Sequence, residues 1–227
     1  MKSLLAVVLL LTSPALAFDP VTREMEGWTI HIDPALLSDD PQSEESRSLQ
    51  MLRNHLFFIT NLIPEARLKE LKTLEIWIEK DHPTLKAMQY HPSRQWLVDN
   101  KHDPRLAKKV HIPVARQLVS RSQIMKHPMV VLHELAHAYH DQILGFDDPR
   151  ILSTFQAAKD SKKYRSVLLY NGRRVLHYGM TNHKEYFAEG TEAFFNRNDF
   201  YPFVQAELKE HDPNLHALLE EIWGKTP

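Results

Sequence analysis

The sequence predicts an α+β fold, because strand patterns come early in the chain and helical patterns dominate later. Apolar and polar residues alternate over positions 28–32 and 74–79, which is the period of a half-buried strand. From residue 128 onward, apolar residues recur mainly at helical spacing. With 227 residues, 43% of them hydrophobic, the chain can bury the core of one domain, which we expect over residues 18–227.

The first strand is predicted at residues 28–32, and a helix should follow it. The apolar stripe of that helix ends before Pro64, which disfavours its continuation. Its members are Leu49, Leu52, Leu56, Ile59 and Leu62. The second strand, at 74–79, should expose Glu75, Trp77 and Glu79 on its polar face.

Residues 81–107 are rich in His, Pro, Asp and Asn, which predicts mostly loop. A short strand pattern follows at 110–114. Pro113 has no backbone N–H to donate to a neighbouring strand, so we expect this strand at an edge of the sheet.

An apolar helix is predicted from residue 128 to about 144, where Gly145 ends it, and a second helix over 149–159. Asn171-Gly172 then lies between two strand-like segments. This pair favours a β-hairpin with a two-residue turn in which both residues have positive φ.

Two further helices complete the predicted elements. Asn182, three residues before Glu185, resembles a capping pair that opens a helix through Phe195. Asp212-Pro213 is a typical start for the last helix, since proline is favoured at the first helical position.

The N-terminus has the pattern of a secretory signal peptide. Lys2 precedes an apolar run at 4–11, and Ala15-Leu16-Ala17 forms a small-residue cleavage site. The run is too short to span a bilayer. We therefore expect cleavage after Ala17, a secreted or periplasmic protein, and no membrane association after cleavage.

Composition excludes several other classes of function. The formal net charge of -1 provides no basic surface for nucleic acid, so no nucleic-acid partner is expected. The sequence has 14 histidines and no cysteine, which excludes disulfides and thiolate metal sites. Any metal must be held by His, Asp or Glu.

The sequence His133-Glu134-Leu135-Ala136-His137 lies inside the predicted apolar helix. Four residues advance a helix by just over one turn, so both imidazoles leave the same face and can share one Zn²⁺. Glu134 lies to the side of that face, where it can act as the general base on a water molecule. Burying these polar groups unpaired would be costly, which favours the metal site over a structural role.

A catalytic zinc site usually has three protein ligands, so a third is needed. His140 and Asp141 are candidates, but Asp141 lies about 6 Å along the axis from His137 and fits an outer partner better. Glu185, Glu189 and Glu192 share one face of the later helix, which in isolation could be a solvated face. Opposite a two-histidine helix, we favour Glu185 as the ligand. Glu189 could accept the free N–H of a zinc-bound histidine.

The motif at 133–137, followed about fifty residues later by Glu-Tyr-Phe-Ala-Glu at 185–189, resembles the gluzincin metallopeptidases. Among them it is most similar to the family of the anthrax toxin lethal factor catalytic domain and its bacterial relatives. The resemblance covers roughly residues 105–205. It implies a zincin-like fold, in which a small mixed sheet with an edge strand lies over the zinc-binding helix and a ligand helix follows.

The resemblance also implies the role of each site residue. The zinc ligands would be His133, His137 and Glu185, and the general base would be Glu134. Tyr178 would assist by donating its hydroxyl to the oxyanion; a packing role near the hairpin is the alternative.

The function predicted from these residues is an exported zinc metallopeptidase that acts on a peptide or protein substrate. An extended substrate could pair with the expected edge strand at 110–114. The alternative is a non-enzymatic zinc-binding or interaction protein that keeps the zincin fold.

Overall fold

The computed structural model describes residues 18–225. The fold is α+β, 53% helical with a small mixed sheet, as the sequence predicts. The predicted signal peptide, residues 1–17, lies outside the described residues. No helix among those described is both long and apolar enough to cross a membrane.

Five strands form the main sheet, in the order β1-β2-β3-β5-β4. Strand β2 pairs antiparallel with β1 and parallel with β3, β3 pairs parallel with β5, and β5 pairs antiparallel with β4. The strands are β1 (Val21–Met25), β2 (Trp28–Ile32), β3 (Ile76–Ile78), β4 (Gln89–Tyr90) and β5 (Val110–Ile112).

The predicted edge position of the strand at 110–114 is wrong. Strand β5 lies between β3 and β4, and its last paired residue is Ile112. Pro113 follows the strand, so its missing N–H interrupts no pairing, and its carbonyl accepts a hydrogen bond from the His82 N–H at 2.7 Å. The edge is the two-residue strand β4, inside the segment that the sequence predicted to be mostly loop.

The predicted half-buried character of the strand at 74–79 is also wrong. All three residues of β3 are buried, and Trp77 belongs to a second apolar cluster with Leu97 and Leu106 on the outer face of the sheet. Parallel strands in the middle of a sheet are commonly covered on both faces, which an alternating pattern does not reveal when a tryptophan occupies the second face.

Nine helices and a small hairpin surround this sheet in the described part of the chain. The helices are α1 (Glu44–Leu62), α2 (Glu65–Leu71), α3 (Arg94–Asp99), α4 (Arg121–Lys126), α5 (Val130–Tyr139), α6 (Pro149–Ser161), α7 (His183–Phe195), α8 (Gln205–His211) and α9 (Pro213–Trp223). The starts predicted at Asn182 and Asp212 are confirmed, since both side chains cap their helices.

The hairpin consists of β6 (Val167–Leu168) and β7 (Arg174–Val175), and its turn differs from the prediction. Leu169 N–H donates to the Arg173 carbonyl at 2.8 Å, so three residues rather than two form the loop. Only Gly172 has positive φ, at 86°. This geometry matches a type I turn followed by a bulge, which needs a glycine only at its third position.

Helix α5 is the centre of the fold, and all ten of its residues are buried. It packs against α1, α2 and α7 and against strands β4 and β5. A helix that is apolar on every side is stable only when surrounded in this way. It continues as one wide turn, His140–Leu144, and ends at Gly145, whose φ is 85°. The polar residues of α5 are therefore buried in the interior of the fold.

Candidate metal centre

Two imidazoles leave the same face of α5, as its helical geometry requires. The Nε2 atoms of His133 and His137 lie 3.1 Å apart. Both residues are buried, and their rings meet edge to face with centroids 4.7 Å apart. The spacing of four residues thus places two potential ligand atoms at one point.

Glu185 supplies the third atom, from the first turn of α7. The side chain of Asn182 accepts hydrogen bonds from the N–H groups of Lys184 and Glu185, which sets where this helix begins. Glu185 Oε2 then lies 3.2 Å from His137 Nε2 and 3.3 Å from His133 Nε2. Burial alone would raise the pKa of Glu185, but its hydrogen bonds with both histidines lower that pKa overall.

The triangle formed by these three atoms fits a small tetrahedral cation. Ligands at about 2.0–2.1 Å from a tetrahedral ion lie roughly 3.3–3.4 Å from one another. The observed edges are 3.1, 3.2 and 3.3 Å. Two nitrogens and one carboxylate oxygen are also a donor set that zinc prefers. The group can therefore hold a metal ion.

A second group, His127, His133 and Glu192, has the same types of ligand. Here Glu192 Oε1 lies 2.7 Å from His133 Nδ1 and 2.9 Å from His127 Nε2. These are ordinary hydrogen-bond distances to one carboxylate oxygen that both rings share. An N–H on His133 Nδ1 leaves the Nε2 lone pair for a metal, so this contact supports the first group.

The partner of His133 is Glu192, not Glu189 as the sequence suggested. Glu189 Oε1 is 4.0 Å from His133 Nδ1, too far for a hydrogen bond. Glu192 is fully buried, which alone would raise its pKa, but the charge of His127 and hydrogen bonds with His127 and His133 lower that pKa overall. The sequence gives no sign of this role for His127, because His127 lies outside the motif at 133–137.

Asp141 and His140 do not join the centre. The Tyr90 hydroxyl donates to Asp141 Oδ2 at 2.5 Å, and Lys108 Nζ donates to the same oxygen at 2.6 Å. Asp141 thus ties the end of α5 to β4. His140 is fully buried against Phe146 and Phe187.

Glu134 lies beside the triangle without belonging to it. Its Oε2 accepts a hydrogen bond from the Tyr90 N–H at 2.8 Å. Burial raises the pKa of this carboxyl, although His133 and His137 oppose the shift. Because the Tyr90 amide donates to Glu134 and not to β5, the unpaired side of β4 faces the centre.

Tyr178 lies at the entrance to the metal centre, in a short 3-10 turn before α7, and is 47% exposed. Partial burial and the negative charge of Glu185 raise the pKa of its hydroxyl, which therefore stays protonated at neutral pH. Its ring stacks on Phe200 with centroids 6.4 Å apart.

Two cavities meet at the centre, of about 650 Å³ and 330 Å³. His133, Glu134 and Tyr178 line both, and so do Ala87 and Met88 from the segment that leads into β4. The larger cavity extends past the start of α5 and the smaller one past Glu185. An extended chain along β4 would cross the centre from one cavity into the other.

The chain matches no model of a protein family, no curated protein and no solved structure.

Proposed function

We propose that this protein is an exported zinc metallopeptidase with a zincin-like active site. The zinc ligands would be His133, His137 and Glu185, and Glu134 would be the general base. The observation that carries the proposal is the triangle of three ligand atoms with edges of 3.1–3.3 Å beside a buried carboxylate that is not one of them.

A zinc ion bound here supplies Lewis-acid chemistry, since it lowers the pKa of water and polarises a carbonyl group. Glu134 would take the proton of the attacking water and pass it to the departing amine. The Tyr90 amide holds one of its carboxylate oxygens by a hydrogen bond, which orients the other. Tyr178, as a protonated phenol at the entrance, would donate to the oxyanion that forms on the carbonyl.

The substrate would be a peptide in extended form, paired with the backbone groups on the edge of β4 that are not already bonded to Glu134. This replaces the edge strand expected at 110–114, because β4 covers β5 on that side. Main-chain pairing along an edge is a general mode of peptide recognition. Pairing of this kind would place the scissile bond beside Glu134, because Glu134 lines both cavities together with Ala87 and Met88, which lead into β4.

The competing proposal is a zinc-binding protein without turnover. A purely structural zinc site is normally closed by four protein ligands. The centre described here has three, and cavities on both sides give access to it. Three ligands and an accessible site favour a peptidase over a zinc-binding protein without turnover.

The test uses the mature chain, residues 18–227, and a diverse peptide library. We expect about one zinc per chain, loss of the metal in His137→Ala, and full zinc but no cleavage in Glu134→Gln. A chelator should stop cleavage and added zinc should restore it. Cleavage by a zinc-loaded Glu134→Gln variant would refute the mechanism. Wild-type chain that binds zinc yet cleaves no peptide would favour the non-enzymatic alternative.

A matched pair of variants tests the third ligand. Glu185→Ala should weaken zinc binding much more than Asp141→Ala, because Asp141 is occupied by Tyr90 and Lys108. The opposite order, measured by competition with a chromophoric chelator, would contradict the assignment of Glu185.

A further inference from the structure

The larger cavity has two buried carboxyl groups in its lining that the proposed reaction does not use. Glu189 and Asp199 are each only 2% exposed. Glu189 Oε2 and Asp199 Oδ1 have no hydrogen-bond partner in the described part of the protein. Buried acceptors of this kind are normally satisfied, so their position beside an open cavity points to a ligand that donates hydrogen bonds.

A metal ion does not account for this pair. Neither residue belongs to the groups of described side chains whose ligand atoms are close enough to hold a metal. A ligand with several N–H donors can satisfy both unpartnered oxygens.

None of the described basic side chains in the lining of this cavity donates a hydrogen bond to Glu189 Oε2 or Asp199 Oδ1. His127 is hydrogen-bonded to Glu192 at 2.9 Å, and Lys86 forms its ion pair with Asp81 at 2.8 Å. Lys126 is exposed, at the rim. The two carboxyl groups are therefore buried in the lining, and no described basic side chain is in direct hydrogen-bond contact with these oxygens.

The lining of the cavity also includes large apolar side chains. They are Val130 at the start of α5, Leu169 on the hairpin and Phe200. Lysine and arginine bury their methylene stems against such surfaces and place the charge at the far end. A volume of about 650 Å³ far exceeds what a small ammonium ion needs.

We propose that this cavity is the substrate-specificity subsite, and that it binds a lysine or arginine side chain next to the scissile bond through Asp199 and Glu189. This inference rests on the proposed peptidase function. Burial raises the pKa of Glu189, with Glu192 adding to the shift, and burial likewise raises the pKa of Asp199. A cation between the two carboxyl groups removes the cost of ionising them there.

The first experiment compares N-acetylated peptides that differ only in lysine or norleucine at the position next to the cleaved bond. Wild-type protein should favour lysine by about tenfold or more in kcat/KM, the effect of one charge-assisted hydrogen bond. Asp199→Asn should bring that ratio close to one. Asp99→Asn, an exposed aspartate on α3, is the matched control and should keep the wild-type ratio.

The second experiment measures binding without turnover. Peptide hydroxamates with a lysine or a norleucine side chain are titrated into the zinc-loaded chain, and their Kd values should differ by a similar factor that Asp199→Asn removes. Glu189→Gln provides a second variant if Asp199→Asn does not fold.

The two experiments separate the two proposals. A lysine preference in Kd without any cleavage would refute the peptidase, and the cavity would then be a lysine-binding site that is not a subsite for cleavage. Equal cleavage rates for the lysine and norleucine peptides would overturn the subsite but would not contradict the proposed peptidase function. The subsite is also overturned if the lysine hydroxamate binds no more tightly than the norleucine hydroxamate.

Discussion

Replacing Glu192 with glutamine tests whether the carboxylate behind His133 tunes the metal centre. Glu192 Oε1 lies 2.7 Å from His133 Nδ1, and the residue is fully buried. The carboxylate fixes the N–H on Nδ1 and so directs the Nε2 lone pair to the metal. A glutamine has one acceptor oxygen in place of two and carries no charge to support the ligand.

The magnitude follows from this geometry. Loss of a hydrogen-bonded partner of a zinc-bound histidine typically costs 10–100-fold in metal affinity, or about 1.4–2.7 kcal/mol. We expect the upper part of this range, because Glu192 also holds His127 at 2.9 Å and both contacts change together.

The assay is zinc competition against a chromophoric chelator, with Glu189→Gln as the control. Glu189 lies one turn away on the same helix, is equally buried, and is 4.0 Å from His133 Nδ1. Its substitution should change zinc affinity by less than threefold, well under the loss expected for Glu192. Equal losses in both variants, or a larger loss in Glu189→Gln, would refute the assignment of Glu192.

Three further outcomes are expected. Tyr178→Phe should keep its zinc but lower kcat by about 10²–10³ with little change in KM, as for the loss of one oxyanion donor; an unchanged kcat would remove Tyr178 from the mechanism. Zinc at about 1,000 times its Kd should raise stability by about 4 kcal/mol, so a chelator should lower the Tm of wild type and leave that of His137→Ala unchanged. Burial raises the pKa of the Glu79 carboxyl to about 7, so the folded state binds the carboxyl proton more tightly than the unfolded state. The stability that this group contributes is therefore lost as pH rises from about 4.5 to 7. Urea unfolding should therefore show Glu79→Gln gaining about 2.5 kcal/mol relative to wild type between pH 5 and pH 8, whereas a difference that is constant with pH would contradict the buried position of this carboxyl group.

Local patterns predicted most of the elements that hold the site. The apolar helix around residue 133, the cap at Asn182 and the helix start at Asp212 all follow from signals within a few residues of each other. Non-local pairing could not be seen in the same way. Strand β4 has two residues, lies between polar segments and has no alternating pattern of its own, so its position at the edge follows only from its pairing with β5.

By itself, the sequence determined the pair of histidines and the carboxylate beside them, because spacing within one helix is set by backbone geometry. The tertiary structure alone decided which glutamate of α7 contacts Nδ1 of His133. Glu189 and Glu192 are both on the face turned toward α5, yet they differ by about 60° around the axis and about 4.5 Å along it. Such a difference depends on how α7 is rotated against α5, and that rotation results from the packing of the whole core. The sequence pattern identifies the face, whereas the distances of 2.7 Å and 4.0 Å identify the residue.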